Sequence, residues 1–260
     1  MAIYNFYREP IFKYYKEQID FLLRSRENLE NINIKKSLNM NLILSSACFT
    51  EGVMEHLAKC LLGYYRLVYN EINIPEFELR KSMNKYFERI EADVYQRISQ
   101  GTGVDNYDRL FELLLGKSFK KDDAFKLILE PVQILFQLRN VIAHAKEVSA
   151  YEVSAYWNNN VFEENFYGGY KKAEKFLMKN GLLKKRYIET QNIEIFCEDS
   201  VADYFYEITQ QFIEKLKIFS ESNILISDVL YGRLNAYNQE NHSNLSFLEF
   251  CGMHAHAIKK

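Results

Sequence analysis

Breakers of regular structure are scarce in this chain. Three prolines and ten glycines in 260 residues leave little to interrupt long helices, since proline removes a helical hydrogen bond and glycine costs backbone entropy. Four cysteines, Cys48, Cys60, Cys197 and Cys251, lie scattered with no C-x-x-C pair. That spacing argues against a disulfide framework and against a structural zinc cage, and makes a reducing, cytoplasmic setting the expectation. No stretch reaches the ~18 consecutive apolar residues of a membrane span. The opening MAIYNFYREPIFKYYKEQ lacks a basic segment followed by an apolar run, so neither export nor membrane insertion is expected. A surplus of one charge is missing as well: 33 Lys and Arg face 35 Asp and Glu, for a net charge of −2. Proteins that bind nucleic acid mainly by neutralising phosphate tend to be markedly basic, so any such footprint must be a local patch.

What is present fits a helical globular protein. Hydrophobic residues make up 48% and charged residues 26%, with aromatics high at 15%, and the length suffices to bury a core without staples. After Pro10, residues Ile11, Phe12, Tyr15, Ile19, Leu22 and Leu23 recur at helical spacing and predict a first helix ending near ENLENIN. The next segment, SLNMNLILSSACFTEGVMEHLAKCLLGYYRLVYN, is apolar around most of the helical circumference, which predicts a central buried helix. EFELRKSMNKYFERIEADVYQRISQ reads as an amphipathic outer helix. YDRLFELLLGKS is a short one that breaks at KKDD, and Pro131 starts another through PVQILFQLRNVIAHAKEV. Beyond residue 150 the pattern is mixed. SAYWNNNVFEENFYGGYK suits an irregular connection, KKAEKFLMKNG a helix with a glycine stop, and KKRYIETQNIEIF a short strand or extended linker. VADYFYEITQQFIEKLKIFSES, capped by Asp199 or Ser200, carries a buried stripe of Val201, Tyr204, Phe205, Ile208, Phe212, Leu216 and Phe219. The last forty residues look irregular.

The most informative stretch is FQLRNVIAHAK, residues 136 to 146. It sets Arg139, Asn140 and His144 in an otherwise apolar helix. Asn140 and His144 are four apart and share a face, while Arg139 lies about 140° around the axis from His144, within reach of its long stem. The trio therefore falls on the margin of the buried stripe formed by Leu135, Leu138, Val141 and Ile142. Its chemistry suits a phosphodiester. An imidazole accepts and donates protons near neutral pH, and a guanidinium fork matches phosphate oxygens and stabilises charge gathering on a phosphorane. Asn140 is able to orient either group. Attack of an RNA 2′-hydroxyl on the adjacent phosphate requires no metal, and no cofactor or metal is expected.

LRNVIAHA resembles the R-N-x-x-x-H form of the motif of HEPN domains, the higher eukaryotes and prokaryotes nucleotide-binding superfamily. The resemblance covers residues from about 10 to 148 and extends to a closing helix at about 199 to 220. It implies an all-α bundle over residues 1–222, followed by a C-terminal extension over 223–260. It also implies a metal-independent endoribonuclease of the toxin–antitoxin or phage-defence kind, with RNA as substrate. A homodimer through the motif-bearing helix and an antitoxin protein would be its partners. Carried over by position, Arg139 and His144 would be catalytic, with Asn140 the polar residue after the arginine. Many such domains carry an acidic residue on an earlier helix, behind an aromatic, contacting the motif. Here ACFTEGVMEHLAKCLL offers Glu51 as the orienting acid and Glu55 one turn later, with Thr50 at the aromatic position and Phe49 before it. The alternative is a non-catalytic HEPN-like module that dimerises or binds a nucleotide, RNA or protein, the trio then being a polar helix edge.

Other candidates have plainer readings. His56 beside Glu55 belongs to no H-E-x-x-H set, and reads as an edge histidine. Cys251, His254 and His256 have ligand-like spacing but lack a fourth partner, and read as an incidental tail. Lys171, Lys172, Lys175, Lys179, Lys184, Lys185 and Arg186 offer a local surface for tracking phosphates, against the commoner reading of a solvated helix face.

Overall fold

In the computed structural model the described residues are 11–71, 88–90, 92–99, 103–143, 150–154, 161–165, 168–186, 193–222, 224 and 228–253. Helix α1 (Phe12–Arg26) is followed after a short turn by α2 (Ile32–Glu71). Asn31 starts α2: its side-chain oxygen accepts the N–H groups of Asn33 and Ile34 at 3.1 and 3.2 Å, donors that a first helical turn otherwise leaves open. With no proline to stop it, α2 continues for 40 residues, about 60 Å at the usual rise. Helical turns at 88–90 and 92–99 follow, then α3 (Val104–Leu115), two 3₁₀ turns at Phe119–Lys121 and Asp123–Phe125, and α4 (Leu129–Ala143). Next come β1 (Ala150–Ser154), β2 (Val161–Asn165), α5 (Gly168–Lys179), a 3₁₀ turn at Ile193–Cys197, α6 (Asp199–Ser222), α7 (Asp228–Glu240) and α8 (Phe247–Met253). The all-α class read from the sequence holds. Among the described residues the exception is the antiparallel β1–β2 ribbon, in which Val153 pairs with Phe162 and Ala150 with Asn165.

Two compact units make up the chain: Met1–Ile11, Glu51–Lys126 and Ile213–Lys260 form one, and Phe12–Thr50 and Leu127–Phe212 the other. In the first, Phe111, Phe119, Phe125 and Phe219 form an aromatic cluster with neighbouring centroids 5.4 to 6.3 Å apart, mostly edge-on as ring quadrupoles favour. Buried Asp108 ties α3 to the turn beyond it, accepting from the Ser118 hydroxyl at 2.8 and 2.9 Å and from the Lys120 N–H at 3.0 Å. The tail belongs to this unit. Leu230 and Leu234 of α7 and Phe250 and Cys251 of α8 share a core with Tyr64 and Leu67 of α2. The close approach of α8 depends on Gly252, where a Cβ would stand 2.8 Å from the Cys60 sulfur.

The second unit is organised by a polar node. Asn39, 1% exposed, accepts from Arg26 Nη1 at 2.9 Å, and donates to the Cys197 carbonyl at 2.9 Å and to Asp199 Oδ1 at 2.7 Å. Arg26 also pairs with Asp203, and Lys35 reaches Asp199 Oδ2 at 2.6 Å. Lys36 bonds Glu194 at 3.0 Å and lies 3.5 Å from Glu198. One amide thus joins α1, α2 and the start of α6, and Ile19 and Leu22 of α1 and Leu42 and Ile43 of α2 are buried.

Three expectations need correcting. Residues 150–154 and 161–165 are paired strands rather than an irregular connection. Ile193–Cys197, expected as strand or linker, is a 3₁₀ turn, its Cys197 carbonyl held by Asn39. The extension, expected to be irregular, is helical over Asp228–Glu240 and Phe247–Met253. The helical readings of α1, α2 and α6 hold, and that of α4 holds as far as Ala143, with residues 144–148 outside the described residues. The expected stripe of α6 is buried at Val201, Phe205, Ile208, Phe212, Leu216 and Phe219, with Tyr204 half-buried.

Two stability predictions follow from the node. Asn39→Ala removes three hydrogen bonds and strands the buried Arg26 side of the node, and should lower unfolding stability by about 2–3 kcal/mol in urea denaturation. Burial alone would raise the Asp199 carboxyl, but hydrogen bonds from Lys35 and Asn39 and the charges of Lys35 and Arg26 outweigh it and hold the group below its ordinary value of 3.8. A carboxyl lowered in the folded state adds stability above that ordinary value, and the gain disappears as pH falls through the lowered one. The stability gap between the wild-type chain and Asp199→Asn should therefore be full at pH 7 and shrink on acidification below pH 3.8, as read by urea midpoints across the acid range.

Candidate functional site

Helix α4 is built to be buried. Pro131 occupies its first turn, where a missing N–H costs no helical bond, and Pro131, Val132, Ile134, Leu135, Phe136 and Leu138 are buried. Past its middle, Gln137, Arg139 and Asn140 are half-buried, and Val141 and Ile142 are half-buried beside them. The guanidinium of Arg139 stands 5.3 Å from the centroid of the Phe136 ring, about one turn back, within the range of a cation–π contact. Its Nε and Nη2 are shielded from solvent. A cation held at a helix edge, on an aromatic face and partly out of water, interacts more strongly with an anion than one in bulk solvent.

The other expected site residues are distributed as follows. Asn140 adjoins Arg139 on α4. His144 lies outside the described residues, as do His254 and His256. Glu51 is half-buried on α2 and belongs to the other compact unit from Arg139. Thr50 before it is fully buried, its hydroxyl donating to the Ser46 carbonyl at 2.8 Å and standing 3.5 Å from the Thr209 hydroxyl. Where the resembled pattern has an aromatic, this chain therefore has a hydroxyl linking α2 to α6. Phe49, one step earlier, meets the Phe12 ring at 6.1 Å. Glu55 pairs with Lys59 one turn on, an ordinary helix-surface ion pair.

Beside α4, and packed against it, lies α5. Ala173, Phe176 and Leu177 are buried while Lys172, Lys175 and Lys179 are exposed, so these three lysines of the basic cluster sit on the outer side of the helix that flanks the Arg139 helix. A cavity of about 420 Å³ opens there, lined by Lys171, Glu174, Lys175, Met178 and Arg186. Glu174 and Met178 were not singled out from the sequence. The signal was available, since residues 171, 174, 175 and 178 occupy one helical stripe.

Thiolate chemistry is disfavoured at Cys197 and Cys251. Burial, with the Glu194 charge adding to it and Lys36 opposing, pushes the Cys197 thiol up to about 11. Burial, with Cys60 adding to it, pushes the Cys251 thiol up to about 12. Neither is a thiolate nucleophile at neutral pH. The Cys60 sulfur lies 3.5 Å from His56 Nε2. Among the described residues no group of three or more His, Cys, Asp or Glu is placed to hold a metal ion, and no helix is long and apolar enough to cross a membrane.

No protein-family model matches this chain, and no curated protein and no solved structure does so either. The thiol environments carry a prediction. Mass-spectrometric mapping of iodoacetamide labelling at pH 8 should show half-buried Cys48 modified first, and Cys197 and Cys251 slower by roughly tenfold or more. Equal rates would contradict the burial assigned to the two.

Proposed function

We propose that this chain is a metal-independent endoribonuclease of the HEPN type, acting in a cytoplasmic toxin–antitoxin or phage-defence setting. The observation that carries the reading is the placement of Arg139. It stands, with Asn140 next to it, near the end of a buried helix, its guanidinium partly shielded and set on the Phe136 ring. Such a cation is pre-oriented, so little reorganisation is needed when charge develops beside it. The LRNVIAHA motif supplies the rest of the argument.

In this mechanism the imidazole of His144 takes the proton of the RNA 2′-hydroxyl. The 2′-oxygen bonds to the adjacent phosphorus, and negative charge gathers on the non-bridging oxygens against the Arg139 fork. The bond from phosphorus to the 5′-oxygen then breaks, and that oxygen receives a proton from an imidazolium. The products are a 2′,3′-cyclic phosphate and a 5′-hydroxyl. Asn140 positions the phosphate or the imidazole. A C2 dimer through α4 would bring two copies of the trio to one cleft, since an isologous interface juxtaposes identical patches. The second copy's imidazole then supplies the acid. An antitoxin protein would act by covering that cleft.

One observation favours a second reading. The same shielding and ring contact of Arg139 are what a structural arginine would show, and a non-catalytic HEPN-like binding or dimerisation module would have them too. Activity separates the two. His144→Ala, with helicity and thermal transition retained, should abolish RNA cleavage in EDTA, and the wild-type products should carry cyclic phosphate ends. Undiminished cleavage by that variant would remove His144 from the mechanism. Expression of the wild-type chain should slow growth and that of Arg139→Ala should not, whereas equal tolerance of both supports the binding module.

A further inference from the structure

The cavity on α5 is a built feature rather than a run of solvated lysines. Its floor is one stripe of the helix, Lys171, Glu174, Lys175 and Met178, at spacings that bring side chains to a common face. Arg186, returned to the helix by the turn that ends α5, also lines it. There Gly181 adopts φ +69, and the Leu182 N–H donates to the Leu177 carbonyl at 2.9 Å and the Gly181 N–H to that of Met178 at 3.0 Å. This left-handed turn reverses the chain, and buried Leu183 anchors it. Three residues on, Arg186 Nε lies 3.9 Å from Glu174 Oε2.

Glu174 explains the geometry. At 5% exposure its carboxylate is costly to bury without a cation nearby, and Arg186 stands beside it while remaining partly exposed itself. Three cations, Lys171, Lys175 and Arg186, line the cavity with one carboxylate, so the lining has a surplus of two positive charges in a chain whose net charge is −2. Within the lining, the one carboxylate stands nearest Arg186. Met178 adds an apolar surface among the charges. A ligand suited to such a lining has a compact, strongly charged anionic group joined to a less polar body.

We propose that this cavity is a subsite for a backbone phosphate of single-stranded RNA, set apart from the Arg139 trio on the helix packed against α4. The inference rests on the ribonuclease reading for the identity of the polymer. Lys171 and Lys175 contact the non-bridging oxygens, Arg186 presents its fork to the same phosphate, and Met178 lies against the sugar or base. The site holds substrate; the bond broken is elsewhere.

The test uses the full-length chain and a fluorescein-labelled 2′-O-methyl oligoribonucleotide of mixed sequence, which has no free 2′-hydroxyl and is not cleaved. Binding is followed by anisotropy at several salt concentrations. Deleting one lysine–phosphate ion pair with a single strand should flatten the dependence of log Kd on log salt by about 0.7. Lys171→Ala and Lys175→Ala should each show that change, while Lys172→Ala, exposed on the same helix but outside the cavity lining, should not. In cleavage assays Lys175→Ala should raise KM with kcat retained. Equal effects of Lys172→Ala and Lys175→Ala would overturn the proposal in favour of diffuse charge, and a polyglutamate peptide reproducing the same slopes would overturn it in favour of any polyanion. Unchanged slopes alongside normal cleavage would overturn the subsite and leave the ribonuclease reading standing. A wild-type chain that neither binds nor cuts RNA would overturn both.

Discussion

The unit that carries Arg139 depends on a single buried amide. Asn39 satisfies Arg26, the Cys197 carbonyl and Asp199 at once, and so joins α1, α2 and the entry to α6. A carboxamide has both donors and acceptors, which lets one side chain accept from a guanidinium and donate to a carbonyl and a carboxylate. No apolar residue of similar size would leave those three groups satisfied. The surrounding pairs, Lys35 with Asp199 and Lys36 with Glu194, are more exposed and worth less individually. They reinforce a register that Asn39 sets.

Within that unit α4 and α5 lie side by side with opposite characters. Helix α4 buries most of its residues from Pro131 to Leu138, and near its end Arg139 rests on Phe136. Helix α5 buries Ala173, Phe176 and Leu177 and keeps its lysines outward. A rigid apolar helix is a precise mount for a few charged atoms, because packing rather than solvent sets their position. The flanking helix is suited to a looser electrostatic task, in which long lysine stems adjust to a polyanion. The ribonuclease reading and the phosphate subsite divide the work along this line.

Much of the helical frame was legible from residue spacing. The apolar circumference of α2 and the stripe of α6 gave both helices without any tertiary information, and Pro131 marked the start of α4 to within two residues. What misled was local polarity. NAYNQENHS reads as a loop, yet Leu230 and Leu234 are one turn apart and their burial against α2 outweighs poor propensity. The ribbon was hidden for a related reason. The segments Ala150–Ser154 and Val161–Asn165 form strands only as a pair, and strand preference depends on that neighbour more than on the segment itself. Of the candidate site, Arg139, Asn140 and the lysine cluster were visible as residue types at given spacings. Glu174 was passed over because an acid inside a basic run looks like ordinary surface mixing.

Sequence alone therefore determined the helical class, the long buried α2 and the adjacency of Arg139 and Asn140 near the end of one helix, because a 3.6-residue period is a property of the chain itself. Tertiary structure decided the rest. Asn39 became a keystone only when Arg26, Cys197 and Asp199 arrived from distant segments. Arg139 lost part of its water only when α4 was packed, and Glu174 came to stand beside Arg186 only after the Gly181 turn folded the chain back. Burial and long-range pairing change the energy of a polar side chain far more than its neighbours in sequence do.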